Sequence, residues 1–584
     1  MRDVIVVGAG GGGAVVAKEL AQRGLDVLLL EAGPRWGKSD QKWSHREAKA
    51  NNPASGYFRF GPSNLKQGPW RRDLPQYCYL WQTGGVGGST VHYFGNCPRP
   101  PRGVFAGGSG DYDSHRFPFP YEELVPYYDW VEHTLPVETA PMGTKEQVFL
   151  RGATRMGLPV QTEKDLAGEA CRAQPNAILQ PKGKAGKAKN PAYPAAQGCT
   201  FCGHCLEGCI EPKGAPRNLR AKRSTDTSYI PMALTADRWA KGRKVELVAD
   251  AFVLRVDLLP TAGPGPPLAG GVTWRSTKTG RQTTEEARVV VLAGGSIETP
   301  RLWLRSGLPN PNDLVGRGLT DHYPDFVIGR FSSDTGSTRG PGSNARADFP
   351  GYGSLEVTTL PPGLQAYSLA FSDSGMAGLY DNGTGITAEG ADAIGRLVGK
   401  RLKTFVANVD KLLNVLVLTD DEVEDQNRVS LSQSSPPDEN GAIPRVEIPY
   451  RKRSARTRRN REFLAGKAVE LLRAAGAKEV VRMNIAPVLF HIHSTMRMGA
   501  DSAGSVVNPD GESWFVRRLF VADNSALANG VGGVNPTLTT QALATRTAEK
   551  IFAAYFGGDR WVGRESPVSS IAAAVTKAVK AAGL

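Results

Sequence analysis

Two groups of residues in this chain are spaced for chemistry. Cys199, Cys202, Cys205 and Cys209 fall in the pattern C-x2-C-x2-C-x3-C. That is the spacing of a bacterial iron–sulfur loop, because thiolates two and three residues apart on irregular backbone can converge on one small cluster. The proline usual after the last cysteine is displaced to Pro212, and there is no second cysteine run. Zinc is another reading, although its sites pair cysteine doublets across a longer loop. A thiol-rich loop without metal is the third. The other group is Gly8, Gly10 and Gly13, with Glu31 eighteen residues after the last. Gly8 permits a tight turn, Gly10 lets backbone approach a pyrophosphate seated on a helix N-terminus, and Gly13 lets helix and strand pack closely. Glu31 can accept hydrogen bonds from ribose hydroxyls, and its charge repels the extra phosphate of NADP.

In a chain with 68 glycines such a fingerprint needs its elements in place. Val4–Val7 reads as a buried strand, Ala14–Arg23 has helical spacing closed by Gly24, and Val27–Leu30 is a second strand ending at the acid. This order fits a dinucleotide-binding βαβ unit, for NAD or FAD alike. The glycines of Gly84–Gly88 imply backbone lying against something flat or charged. Glu122–Leu135 reads as a helix, and residues 164–197, rich in Lys, Ala, Gly and Pro, as a loop. Val245–Val256 and Ala287–Leu292 read as strands, the second followed by a helix starting near Thr299, with Pro300 in its first turn. Val415–Leu418, Arg428–Leu431 and Leu519–Asp523 are further strands, and Pro536–Ala553 a long helix. Ile571, Val575 and Val579 predict an amphipathic docking helix in the tail.

The 584 residues are too many for one ordinary core and predict two or more domains. A hydrophobic content of 40% and a charged content of 22% are those of a soluble chain, with no apolar run long enough to span a membrane. The first strand begins at the N-terminus, which leaves no room for a signal peptide and predicts a cytoplasmic protein, unless it is exported with a signal-bearing partner. The formal net charge of +14 raises nucleic acid as a ligand. No nucleic-acid motif accompanies it, and the densest run (Arg451, Lys452, Arg453, Arg456, Arg458, Arg459, Arg461) reads as the solvated start of a helix through Phe463, Leu464, Val469 and Leu472.

Five motifs in order resemble one family. They are the fingerprint ending Leu30-Glu31-Ala32-Gly33, the block Gly84–Thr90, the segment Ala293–Ser306, the segment His491–Gly499, and Leu519–Asn524 with Gly532–Thr537. They resemble successive landmarks of the glucose–methanol–choline (GMC) flavoprotein oxidoreductases. The resemblance implies an α/β fold, with a FAD-binding Rossmann-like domain built on a mostly parallel sheet from residues 1–100, 240–325 and 495–560. Interleaved with it would be an α+β substrate (cap) domain with an antiparallel sheet, from 101–239 and 326–494 and including the cysteine loop 199–209. Residues 561–584 would form a tail.

The same resemblance implies FAD, with Gly8, Gly10 and Gly13 at the pyrophosphate and Glu31 at the adenosine ribose. Gly87, Gly88 and Ser89 would follow the pyrophosphate and ribityl chain, and Asp523, Asn535, Pro536 and Thr537 the ribityl and flavin. Pyranose-oxidase-like members bond FAD to a histidine in the comparable glycine block, which makes His92 a candidate attachment point. The implied reaction is alcohol oxidation, in which a base takes the hydroxyl proton while hydride passes to flavin N5. Such a base is expected to titrate near neutral pH, within hydrogen-bond reach of the substrate, as a histidine does. Aligning Ser494-Thr495 on the family's Gly-Thr places His491 at the base and Asn535 at the partner that orients the hydroxyl, with His493 as a neighbour or substrate contact. Ser494 departs from the family's glycine, which puts a local backbone difference there.

The polar, glycine-rich middle third leans toward a sugar or glycoside substrate. The alternative is a steroid or long-chain alcohol oxidase, whose pocket should be apolar. A non-catalytic flavin electron-transfer or scaffold subunit is the reading of another class, and an NAD-linked dehydrogenase leaves the C-terminal motifs without a role. An iron–sulfur cluster in the cysteine loop would give electrons a one-electron exit. It would favour a dehydrogenase over an oxidase and call for a small subunit or a cytochrome or quinone acceptor.

Overall fold

The structure, a computed structural model, describes residues 1–35, 61–62, 72–75, 79–139, 142–181, 197–260, 263, 265–360, 362–371, 390–395, 397–449, 453–484 and 488–584. Arg451, Lys452, residues 182–196 of the predicted loop and most of the stretch between 36 and 78 lie outside them.

Val4, Ile5, Val6, Val27 and Leu29 are fully buried, so the first two strands are apolar on both faces, as strands covered by helices on both sides must be. β1 (Arg2–Val7) and β2 (Val27–Leu30) run parallel, in register from Val4↔Val27 to Val7↔Leu30, with α1 (Gly13–Gln22) as the crossover. Their sheet has seven strands. From one edge the order is Ala251–Leu259, Leu268–Ser276, Gln282–Leu292, β1, β2 and Glu246–Val248, and Leu519–Val521 also pairs with Gln282–Leu292. The long strand Gln282–Leu292 serves two partners. Its first half forms an antiparallel ladder with Leu268–Ser276, and its second half runs parallel to β1 and to Leu519–Val521.

A second seven-stranded sheet is almost wholly antiparallel, in the order Ala393–Ile394, Glu479–Arg482, Asp325–Arg330, Leu412–Thr419, Gly353–Thr358, Ala345–Phe349 and Ala170–Ala173. Its strands sort their side chains by the two-residue period. Val327, Leu413, Val415 and Val417 pack with Leu464, Ala468 and Leu472 of the helix Ala455–Ala475. The alternate residues Phe326, Ile328, Asn414 and Leu416 face a cavity instead.

Three expectations change. The helix after Leu292 spans Gly295–Arg305, so Pro300 lies inside it rather than in its first turn. An internal proline leaves the carbonyl four residues back without its helical donor. Here that carbonyl, Ser296 O, accepts from Thr495 Oγ1 at 2.7 Å, so the helix is tied to the histidine segment. Second, three arginines of the basic run are not solvated. Arg453 pairs with Asp421 and Glu424, Arg456 with Asp420, and Arg461 with Asp325, with the Arg453 and Arg461 side chains 0% and 2% exposed. The acidic loop after Leu418 lies under this end of the helix and draws the guanidinium groups inward. Third, in the tail helix Ala573–Ala581, Val575 and Val579 dock against Met232, but Ile571 falls outside the helix. No helix among the described residues is long and apolar enough to cross a membrane.

Candidate active site

A cavity of about 430 Å³ lies where the parallel strands end, at Val7, Leu30 and Leu292, and extends to the Phe326/Leu416 face of the antiparallel sheet. The ends of parallel strands are where open α/β sheets take their ligands. Gly8 and Gly10 line the cavity; Gly13 sits behind it, where a Cβ would lie 2.0 Å from Gly8 O. Gly12, which the fingerprint does not name, is tighter still, since a Cβ there would lie 1.6 Å from Ala522 O. α1 begins with no side-chain cap and no acidic residue in its first turn, so its uncapped N-terminus is open to an anion. Glu31 lines the same end, its carboxylate fixed by the N–H groups of Ala9, Gly33 and Gly85 at 2.8–3.0 Å. Burial raises its pKa, against the pull of those donors. Gly88 and Ser89 line the next stretch, while Gly87 lies behind and donates its N–H to Ala9 O. This uncapped helix start, the buried acid and the glycine wall fit the pyrophosphate and ribose of FAD.

The other end is built from side chains. Asp523 lines the cavity, and its carboxylate accepts from Gly295 N, Thr299 Oγ1 and Ser525 N, which ties the strand end to the helix Gly295–Arg305. Asn535, Pro536 and Thr537 form the wall where the last long helix, Thr537–Phe556, begins. Asn535 Oδ1 accepts from Arg346 Nη1 at 3.3 Å, and Arg346 also meets Glu356.

His491 lines the cavity with its main-chain N–H donating to Asp321 Oδ1 at 2.9 Å. Its neighbour Ser296 donates Oγ to Ile492 O at 2.8 Å, so the histidine segment is sewn to the FAD-side helix. Its ring nitrogen Nδ1 lies 3.0 Å from Nδ1 of His322. Burial, and then His322, His493 and Arg346, hold the His491 pKa well below its usual value. Burial and these neighbours thus favour the neutral imidazole over the near-neutral titration expected of the base. His493 is fully buried, bonded through Nδ1 to Ser494 Oγ, and does not line the cavity. Ser494 adopts φ +71°, a conformation glycine takes without strain, which is where the departure from the family's glycine shows.

The cysteine loop adjoins this cavity without forming a metal site. Leu206 lines the cavity, and its carbonyl lies 2.5 Å from His92 Nδ1. Among the described residues no group of three or more His, Cys, Asp or Glu side chains could hold a metal ion, and Cys199, Cys202, Cys205 and Cys209 are free thiols. Cys199 is drawn into an apolar cluster with Ile178, Phe201 and Ala221, and Cys209 Sγ donates to Glu211 O. Burial pushes the Cys199, Cys202 and Cys205 thiols up, toward the neutral form.

Sequence reasoning missed Gly12, the Asp321-His322 pair and the Arg346–Glu356 pair. Gly12 was hidden by its neighbours in a run of four glycines. The scarcity of histidine, eight in the chain, was the available signal for His322.

The fold and site define a FAD-dependent oxidoreductase acting on CH–OH groups. GMC oxidoreductase family models match residues 172–324 and 424–544, and a model of FAD-dependent oxidoreductases matches residues 3–74. The chain belongs to the GMC oxidoreductase family. It is 28% identical to 6'''-hydroxyparomomycin C oxidase of Streptomyces lividus, over 96% of this chain and 92% of that protein. It is likewise 28% identical to 2-methyl-1,2-propanediol dehydrogenase of Mycolicibacterium austroafricanum, over 94% and 95%. A crystal structure of formate oxidase shares the fold, with a TM-score of 0.60 and 13% identity over 95% of this chain and 99% of that one.

Proposed function

We propose that this enzyme is an oxidase of alcohols with a long apolar body, with His491 as the base. The observation that carries the substrate is the wall beyond His491, where Phe326, Ile328, Leu360, Leu416, Met483 and Phe490 meet the cavity. An apolar chain leaving water for that wall gains roughly 25 cal/mol per Å² buried, whereas a sugar would leave hydroxyls unpaired against it. The lean toward sugars drawn from the glycine-rich middle third is retained only as a second reading, since the buried polar residues of its sheet, Arg346, Asp348, Glu356, Thr358 and Asn414, alternate with the residues packed on the helix.

FAD, when bound, supplies the hydride acceptor. The chain's own residues do the rest. His491, neutral, accepts the hydroxyl proton at a ring nitrogen. Asn535, on the cavity wall and held by Arg346 and Glu356, orients the hydroxyl. The apolar wall keeps water from the reacting carbon and admits dioxygen as the acceptor. The dehydrogenase expectation rested on a cluster, for which no group of metal ligands stands among the described residues. A second reading, a glycoside substrate, draws on the Gln365 and Asn414 amides, which bond each other on the cavity wall at 3.0 and 2.6 Å, and on the aminoglycoside-oxidising relative.

The test is anaerobic mixing of the FAD-loaded protein with straight-chain primary alcohols of increasing length, with glucose and with fructose, followed by air. Flavin bleaching that quickens with chain length, and one hydrogen peroxide per alcohol on reoxidation, are expected. Bleaching by sugars alone would move the assignment to the second reading. Reoxidation by a quinone or cytochrome but not by oxygen would make the enzyme a dehydrogenase.

A further inference from the structure

His322 sits between Leu319 and the strand Asp325–Arg330, is fully buried, and does not itself line the cavity. Its two ring nitrogens have two different neighbours. Nε2 lies 3.1 Å from the carbonyl oxygen of Gly530, and Nδ1 lies 3.0 Å from Nδ1 of His491. A carbonyl oxygen can only accept, so His322 Nε2 must carry a proton and donate. Burial keeps the ring neutral, with its pKa held down to about 3. A neutral imidazole has one ring proton, so Nδ1 of His322 presents a lone pair. Two lone pairs would repel at 3.0 Å, and the proton between the rings therefore belongs to Nδ1 of His491.

From this chain of contacts we infer that His322 is a positioning residue that fixes His491 as the Nδ1–H tautomer, leaving the Nε2 lone pair to accept the proton of the alcohol. The inference rests on the reading of His491 as base. The neighbouring residue completes the grip: Asp321 Oδ1 accepts from the main-chain N–H of His491 at 2.9 Å and of Phe490 at 3.4 Å. Asp321 thus holds the backbone of the base while His322 holds its ring. The hydrogen-bond chain ends on the Gly530 carbonyl, which cannot pass a proton on. A proton taken from the substrate accordingly stays on the histidine pair, and His491 can return it.

The tautomer is directly readable. In ¹⁵N-histidine spectra of the FAD-loaded enzyme without substrate, His491, assigned through the His491→Ala variant, should show a protonated Nδ1 and an unprotonated Nε2. His322→Phe should shift His491 to a mixture of tautomers. It should also slow flavin reduction by 1-decanol about 10–100-fold, the range for losing the partner that orients a working imidazole. Apparent 1-decanol affinity should stay within about twofold, because His322 is not in the cavity wall. His322→Asn, whose amide oxygen can accept at the position of Nδ1, should recover most of the rate. His491→Ala should leave His322→Phe no further rate to remove, as two parts of one device behave.

A protonated Nε2 on His491 in the wild-type spectrum would overturn the assignment. So would an undiminished rate in His322→Phe, or no recovery in His322→Asn. If His322→Phe does not fold, the wild-type spectrum and His322→Asn still decide. Should His491→Ala itself keep its rate, the base reading fails, and that outcome is distinct from a His322→Phe that changes nothing while His491→Ala is slow.

Discussion

The two ends of the cavity are held by different means. At the ribose and pyrophosphate end, backbone does the work: glycines and helix-terminal N–H groups would meet the cofactor, and the buried acid Glu31 is itself held by three main-chain donors. At the histidine end the backbone is scaffolding, and the site is a set of side chains whose orientation comes from other side chains, as His322 orients His491 and Arg346 orients Asn535. The difference teaches where each end is fragile. Adding one atom should break the first, and changing one proton should break the second.

The largest effect is therefore expected from Gly12→Ala. The added carbon would lie 1.6 Å from a main-chain oxygen, Ala522 O, which no rotamer can relieve. A cost on the order of 4–5 kcal/mol, the exceptional end for one substitution, should appear as a lowered Tm and loss of FAD on gel filtration. A variant that retains flavin and melts within a degree or two of wild type would mean that this end is less tightly closed than its geometry says.

Next is Asp321, whose pKa burial pushes up to about 6 despite the N–H donors and Arg453 around it. The folded state then holds its proton more tightly than the unfolded chain. The stability from this group is present below an unfolded pKa near ~3.9 and is lost as pH rises through about 6. Asp321→Asn removes the titration, so the variant should gain on wild type by an amount on the order of 3 kcal/mol between pH 4 and pH 7. Tm values of the two proteins across that range would show it as a gap that opens with pH and then stays level; a constant gap would sink the claim.

His491→Ala should cost at least about a hundredfold in the rate of flavin reduction, the low end for removing a general base. Tm and FAD content should barely move, which is the opposite of Gly12→Ala. Because the His491 pKa is held well below its usual value, the acid limb of wild-type kcat/KM should fall well below pH 6.5, with activity lost only as pH drops through it. A limb centred near neutral would contradict the burial and neighbours described. His493→Ala losing the rate while His491→Ala keeps it would transfer the base.

The same contrast explains what the sequence disclosed. The glycine end was legible because its parts are local: strand, turn, helix and acid lie within residues 2–31, and the spacing states the contact. The cysteine run was equally local, but spacing gives reach and not occupancy: Cys199, Cys205 and Cys209 pack on one apolar cluster with Ile178, Phe201 and Ala221, and no metal-holding group is formed among the described residues. The histidine end depends on separations of 169 residues, between His322 and His491, and 189, between Arg346 and Asn535, which no local pattern reports. Arg453, Arg456 and Arg461 of the basic run were misread for the same reason, since the carboxylates that draw them in belong to Asp421, Asp420 and Asp325. Pro300 looked like a helix start because a helix interior seldom tolerates it. The hydroxyl of Thr495 that accommodates it lies at the far end of the chain.

The smallest effect separates the substrate readings. Leu416 stands on the cavity face of the strand Leu412–Thr419, two residues from Asn414, and is 3% exposed. Leu416→Ala removes apolar surface from the substrate side without touching His491 or the glycine wall. If an alkyl chain lies there, losing that contact should weaken it by about 1–2 kcal/mol, which is roughly tenfold in KM with kcat little changed, since binding shared by ground and transition states leaves through KM. The loss should grow with chain length from 1-hexanol to 1-decanol and then level off once the chain fills the pocket. A sugar occupant predicts the reverse, because its hydroxyls would gain from the room for water that the shorter side chain opens beside Asn414. An unchanged KM for every alcohol, with an improved one for a glycoside, would place the substrate on the amide pair rather than on the apolar wall.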